Sequence, residues 1–182
     1  TPGRLLGSTW LGKFLDIIVD APDRLTWQSQ VFRCALGRGG LLVFKAEGDG
    51  ATPVGRFPLR RVFYRPDKIS IIDTSLQTMA LSPDDGWCDA PADPAYHQLI
   101  KTPFARGHEA LWRDDNVYDI IVELGYNDAP VVPGRGSAIF MHIAKLDYAP
   151  TEGCVALRRD DLLAVLASCT ESTHIQINPA SA

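Results

Sequence analysis

IFMHIAKLDYAPTEGCVAL, residues 139–157, is the stretch on which the reading of this chain turns. An apolar, β-rich run ends in His142, and Gly153-Cys154 leads into a second apolar run. The loop between them, residues 143–150, is eight residues long. Twelve positions separate His142 from Cys154, which allows a strand, a loop and a returning strand to bring the two side chains together. A thiol attacks as its thiolate, and an adjacent imidazole can take its proton. Gly153 lets backbone approach a substrate closely, and its amide, or that of Cys154, can donate to an oxyanion. One cysteine and one histidine in a region are also compatible with plain packing. A metal site built from His142, Cys154 and a third ligand has no ligand spacing in its favour, so no metal and no cofactor are expected.

The surrounding pattern is that of strands. After the motif, residues 160–168 have helical periodicity, with Leu162, Leu163, Val165 and Leu166 as the apolar stripe and Asp160 or Asp161 as the cap. Residues 174–177 close with a strand. Before the motif, strands are expected at 117–124 and 138–143, joined by a proline- and glycine-rich loop over 126–136. Residues 82–107 are dense in Pro, Asp and Gly, with turn signals at Asp84-Asp85-Gly86 and Asp93-Pro94 and a short helix expected over 95–100. Further strands are expected at 13–19, 31–36, 41–44 and 57–63. Gly37-Arg38-Gly39-Gly40 marks a turn, and Phe32, Cys34 and Leu36 share one strand face. The chain reads as mainly β with one or two short helices, a single domain over 1–182.

Composition narrows the function. The 182 residues are enough for a sizeable core, and 46% hydrophobic with 22% charged residues is ordinary for a globular protein. A net charge of −4 with interspersed signs excludes the basic face that nucleic acid requires. Arg60-Arg61 and Arg158-Arg159 read as solvated surface. No apolar run approaches the roughly 20 residues that span a bilayer. Thr1-Pro2-Gly3-Arg4 does not open a signal peptide and there is no starting Met, so the chain reads as trimmed and the missing signal does not argue for the cytoplasm.

The cysteines are Cys34, Cys88, Cys154 and Cys169, with no C-x-x-C pair to support a zinc ribbon or a thioredoxin-like site. With Cys154 as a working thiol, at most one disulfide remains. Cys34 and Cys169 read as buried packing. His97 and His108 read as loop residues and His174 as a strand end.

The residues resemble one family, the YkuD-type L,D-transpeptidase catalytic domain. Its signature is a histidine at a strand end, a loop, then Ser or Thr, any residue, Gly-Cys and an apolar residue. Here these are His142, Thr151, Gly153, Cys154 and Val155, with Glu152 as the free position. A second family feature, a Thr-Pro-x-Gly-x-Phe turn, stands as Thr52, Pro53, Gly55 and Phe57 within GDGATPVGRFPL. The resemblance covers about residues 14–166. It implies a β-sandwich-like catalytic domain with a short helix after the cysteine, acting outside the cytoplasmic membrane, in the periplasm, on peptidoglycan stem peptides. The resemblance also implies that the cysteine forms an acyl-enzyme on a donor stem and that a diaminopimelate amine of an acceptor stem takes the acyl group. It implies further that the histidine is oriented by a backbone carbonyl.

Three positions depart from the commonest family pattern. Ile143 follows the histidine where glycine is usual, Glu152 stands where histidine is frequent, and Ala156 stands where many members carry an arginine for a substrate carboxylate. Arg158, Arg135 or Arg106 are candidates to supply that cation, since guanidinium suits carboxylate. Most of the family makes 3-3 cross-links between diaminopimelate residues, and a divergent branch makes 1-3 cross-links from L-Ala to diaminopimelate. The departures favour the 1-3 branch. The alternatives on the same scaffold are an L,D-carboxypeptidase or endopeptidase, or an amine-exchange enzyme. In a different class stands a non-catalytic peptidoglycan-binding module with an inert Cys154.

Overall fold

Alternation of apolar residues along short strands builds one large curved sheet, and a computed structural model describes it for residues 16–181. Its strands are β1 (Ile17–Asp20), β2 (Arg24–Trp27), β3 (Gln30–Ala35), β6 (Gly55–Tyr64), β7 (Gln77–Ala80), β11 (Ile120–Leu124), β12 (Phe140–Ile143), β13 (Val155–Leu157) and β14 (His174–Ile177). The order across the sheet is β11-β12-β13-β3-β2-β1-β14-β6-β7, and β11 also pairs with β6. That last pairing closes eight strands on themselves, with β7 appended to β6. The mainly β expectation therefore holds, and the two layers of the expected sandwich are opposite walls of a barrel-like core. β6 makes the closure possible. Its first four residues pair with β14 and its later ones with β11 and β7, with a register shift near Leu59. Such irregularities bend a strand at a barrel corner.

The pleat sorts side chains to the two faces of this wall. Ile120, Val122, Leu124, Met141, Val155 and Leu157 point into the barrel with Ile17, Val19, Leu25 and Trp27. Ile121, Phe140 and Cys154 point outward into a second apolar cluster with Phe63, Trp87, Leu111, Val117 and Tyr118. The outer cluster is covered by a three-stranded sheet of order β10-β8-β9, formed by β8 (Asp85–Cys88), β9 (Leu99–Lys101) and β10 (His108–Ala110). A small parallel pair, β4 (Leu41–Leu42) with β5 (Thr52–Pro53), completes the strands. The one helix among the described residues, α1 (Arg159–Leu166), buries Leu162, Val165 and Leu166.

Several sequence expectations are corrected. Residues 95–100 are not helical. The Asp93 carboxylate accepts from the Ala95 amide, His97 takes a left-handed φ of 60°, and the chain passes into β9. A left-handed residue cannot continue a right-handed helix. The strand at 41–44 stops at Leu42, because Val43 and Phe44 are 63% and 88% exposed and have no sheet to join. Arg158, not an aspartate, is the residue before α1, and it makes no capping bond. Asp160 and Asp161 lie in the first turn, where they favour the helix dipole. His108 begins β10 rather than lying in a loop. The start of the strand expected at 13–19 lies outside the described residues.

Candidate active site

β12 and β13 run parallel, with His142 opposite Ala156 and Met141 opposite Val155. A period of two along each strand then places Phe140 and His142 on the same outer face as Cys154 and Ala156. His142 and Cys154 both line a cavity of about 170 Å³ between this barrel wall and the covering segment, with Glu109, Arg113, Tyr118, Lys145, Pro150 and Ala156 among the other walls.

The thiol is fixed by backbone. Cys154 Sγ accepts from the Phe140 amide at 3.3 Å and faces the Ala138 carbonyl at 3.2 Å. Only 6% of Cys154 is exposed, and burial pushes its thiol up to about 12. The negative Glu109 carboxylate adds to that rise. His142 Nδ1 lies 2.9 Å from the Ile143 carbonyl oxygen, which can only accept, so Nδ1 carries the proton and Nε2 is left with its lone pair. Burial pushes His142 down to about 4. Burial thus disfavours the charged form of both groups, thiolate and imidazolium alike.

Two loops from distant parts of the chain hold the cysteine turn. The Thr151 hydroxyl donates to the Cys154 carbonyl at 2.6 Å and accepts from the Gly153 amide at 3.1 Å. Since Thr151 occupies the Gly153 amide, the amide of Cys154 is the better oxyanion donor of the two. Gly153 has φ of +135°, and a Cβ there would lie 2.6 Å from the Ala51 carbonyl oxygen. The close approach that requires glycine is thus to the chain itself. Thr52 Oγ1 accepts from the Gly37 amide at 2.8 Å, and Thr151 exchanges backbone bonds with Leu36 and Arg38. The Thr-Pro-x-Gly-x-Phe turn and the Gly-Cys turn therefore meet through 37–38 and 51–52. Glu152, at the exposed rim of the cavity, pairs with Arg38 at 2.9 Å, an exposed pair that contributes little stability.

The expected carboxylate-binding arginines lie elsewhere. Arg158 follows the last residue of β13 and pairs with Asp160 at 3.3 Å in solvent. Arg135 lines a separate groove with Phe44 and Tyr126. Arg106 lies 4.0 Å from Asp93 and is 71% exposed. The cations that do line the Cys154 cavity are Arg113 and Lys145. Arg113 is held by Asp115 at 2.5 Å, with Glu109 at 3.8 Å, and stacks 5.0 Å from the Tyr118 ring centroid. Tyr118 packs edge-on against the His142 ring at 5.2 Å and donates to Glu109 at 2.6 Å. Burial raises Glu109 above the usual carboxylate range.

His97, assigned to a loop, is fully enclosed. Its Nε2 donates to the Tyr126 carbonyl, and its Nδ1 accepts from Trp87 Nε1 at 3.1 Å and, at 3.3 Å, from the amide of Ala138, whose carbonyl faces the thiol. Sequence reasoning missed Glu109, Arg113, Tyr118 and Lys145. For the first three the available signal was the density of charged and aromatic residues in HEALWRDDNVY, residues 108–118, and Lys145 lies outside that stretch. All four cysteines are free and buried.

The family model described as YkuD, L,D-transpeptidase catalytic domain, matches residues 16–177, nearly the whole chain. No curated protein and no solved structure matches the chain.

Proposed function

The chain belongs to the L,D-transpeptidase catalytic-domain family, and on that premise we propose that it is a peptidoglycan L,D-transpeptidase with Cys154 as nucleophile and His142 as base. The observation that carries this reading is the shared face of two adjacent parallel strands. It directs the thiol and a histidine with its Nδ1 already committed into one cavity.

A donor stem enters with a peptide carbonyl against Cys154. As the sulfur–carbon bond forms, the thiol proton passes to His142 Nε2, the only ring nitrogen with a lone pair available. The developing oxyanion is met by the Cys154 amide. Collapse expels an amine, which takes the proton back from His142, and leaves a thioester on Cys154. An amine on a neighbouring stem, that of diaminopimelate, then attacks the thioester and forms the cross-link. Because burial disfavours both charged forms, this reading has the thiol ionise as it attacks, with His142 as a neutral base. No helix of the described residues is long and apolar enough to cross a membrane. The cell-wall association of the family supports the periplasm as the proposed location.

For the product, 1-3 cross-linking is the reading favoured here. Ala156 lines the cavity where many relatives carry arginine, and neither Arg158 nor Arg135 reaches it. Fragmentation of dimers made from a defined tetrapeptide tests this. L-Ala joined to diaminopimelate is expected, and dimers joining two diaminopimelates would replace it with the 3-3 assignment.

A further inference from the structure

Transfer of an acyl group to an amine has a proton count that one histidine does not satisfy. At neutral pH the acceptor arrives as an ammonium, R–NH3⁺. One proton must leave before the nitrogen has a lone pair, and a second leaves as the carbon–nitrogen bond forms and the carbon–sulfur bond breaks. His142 can carry the second proton to the departing sulfur. The first goes either to solvent before the amine binds or to a second base at the site.

We propose that Glu109 is that second base, the carboxylate that receives the cationic amine of the acceptor stem and takes its first proton. The proposal rests on the transpeptidase reading above. The step balances: Glu109 becomes the neutral acid, the amide forms, the thiol of Cys154 is regenerated through His142, and Glu109 returns its proton to water as product leaves.

The geometry singles out Glu109. It lies on β10 of the covering sheet, across the cavity from the wall that carries His142 and Cys154. Its Oε1 accepts from Tyr118 at 2.6 Å, while Oε2 has no hydrogen-bond donor among the described residues. The nearest cation, Arg113, is 3.8 Å away and is committed to Asp115. Lys145 and Glu152 line the same cavity from the loop after β12, and His108 shares the strand. Asp89 and Glu47, further off, add negative potential. The net effect of these groups and of burial is a carboxylate that holds a proton more readily than one in water, which suits a base that must accept one. Its charge hinders ionisation of Cys154, an arrangement adverse to the free enzyme that is reversed once an ammonium binds. Glu152, the other acid of the cavity, is 75% exposed and paired with Arg38, so it is less suited to the task.

The test separates the two half-reactions. Acyl-enzyme is formed with a tetrapeptide donor and detected by intact mass. A saturating amine acceptor is then added, and transfer is timed from pH 6 to 9. Glu109→Gln keeps the acceptor for the Tyr118 hydroxyl and removes the base. Its acyl-enzyme should form and accumulate, with transfer about 10²-fold slower than wild type at pH 7 and the deficit closing as pH approaches the pKa of the amine. Alkylation of free Cys154 should be faster in the variant. Glu109→Asp should restore a flat profile. The wild type by itself gives a further check. Transfer that is level between pH 6 and 8 is expected, whereas a tenfold rise per pH unit means that no protein base takes the proton. A Glu109→Gln protein that transfers as fast as wild type, or slower by the same factor at every pH, overturns the proposal. Wild-type enzyme that forms no acyl-enzyme overturns the transpeptidase reading itself, and this proposal with it.

Discussion

His142 shows how environment sets the chemistry of one residue. Enclosure between β12 and the Tyr118 ring removes water from the imidazole, and the Ile143 carbonyl fixes its tautomer. With its pKa lowered to about 4, the ring stays a neutral base as pH falls and loses that capacity only through about pH 4. The acylation kcat/KM is therefore expected to hold from pH 8 down to 5 and to fall below that. An acid limb near 6.5, measured on protein shown by circular dichroism to remain folded, would mean that the histidine is solvated. Replacing His142 with Ala should lower acylation by about 10²–10⁴-fold at pH 7. Among the cysteines, Cys34, Cys154 and Cys169 are all pushed up to about 12 by burial, so acidity does not distinguish them. Access does, because Cys154 is 6% exposed against 1% for Cys34 and Cys169, and of the three only Cys154 shares its cavity with a histidine. A brief limiting iodoacetamide pulse followed by peptide mapping should find Cys154 labelled first, and Cys34, Cys88 or Cys169 labelled first would contradict the packing described.

At the scale of elements, the site is a junction of turns, and Gly153 is its tightest point. Gly153→Ala adds a methyl against the Ala51 carbonyl at a φ that L residues rarely adopt. The opposing atom is backbone and cannot swing aside, so a loss of about 1–3 kcal/mol is expected from strain, read as a lower Tm, together with slower acylation. An unchanged Tm would show that the turn relaxes freely. Here the limits of sequence reading are visible. The strand carrying His142, the Gly-Cys turn, the helix after it and the strand at 174–177 were legible because each is encoded by local periodicity and glycine. The helix expected at 95–100 failed because the Asp93 turn and the left-handed His97 overrode a weak apolar pattern. The role of His97 was illegible for a different reason. Its partners, Trp87, Tyr126 and Ala138, are 10, 29 and 41 residues away, and no local pattern reports such contacts.

On the scale of the whole molecule, a closed barrel-like wall carries Cys154 and His142, the proposed nucleophile and base, and a separate three-stranded sheet carries Glu109 and covers them. Arg158 and Arg135, which flank the His142–Cys154 segment in sequence, are the candidates for substrate binding that the sequence offers. The cavity instead draws Arg113 and Lys145 from segments that only the fold brings together. Trp87 couples the two sheets: it is 1% exposed, meets Phe140 edge-on at 5.2 Å and bonds His97. Trp87→Ala should cost about 3–5 kcal/mol and also slow acylation, because it loosens the covering sheet over the thiol. Full activity at reduced stability would show that the cover is dispensable.

The central claim is that Cys154 carries the acyl group, and intact-protein mass spectrometry during turnover of a defined tetrapeptide donor tests it most directly. Wild-type protein should gain the mass of the donor acyl group, the adduct should map to Cys154, and it should disappear as cross-linked dimer forms on addition of acceptor. Cys154→Ala should remain folded and show neither adduct nor dimer. Dimer formation by Cys154→Ala, or a wild-type adduct mapping to any other residue, would contradict the account.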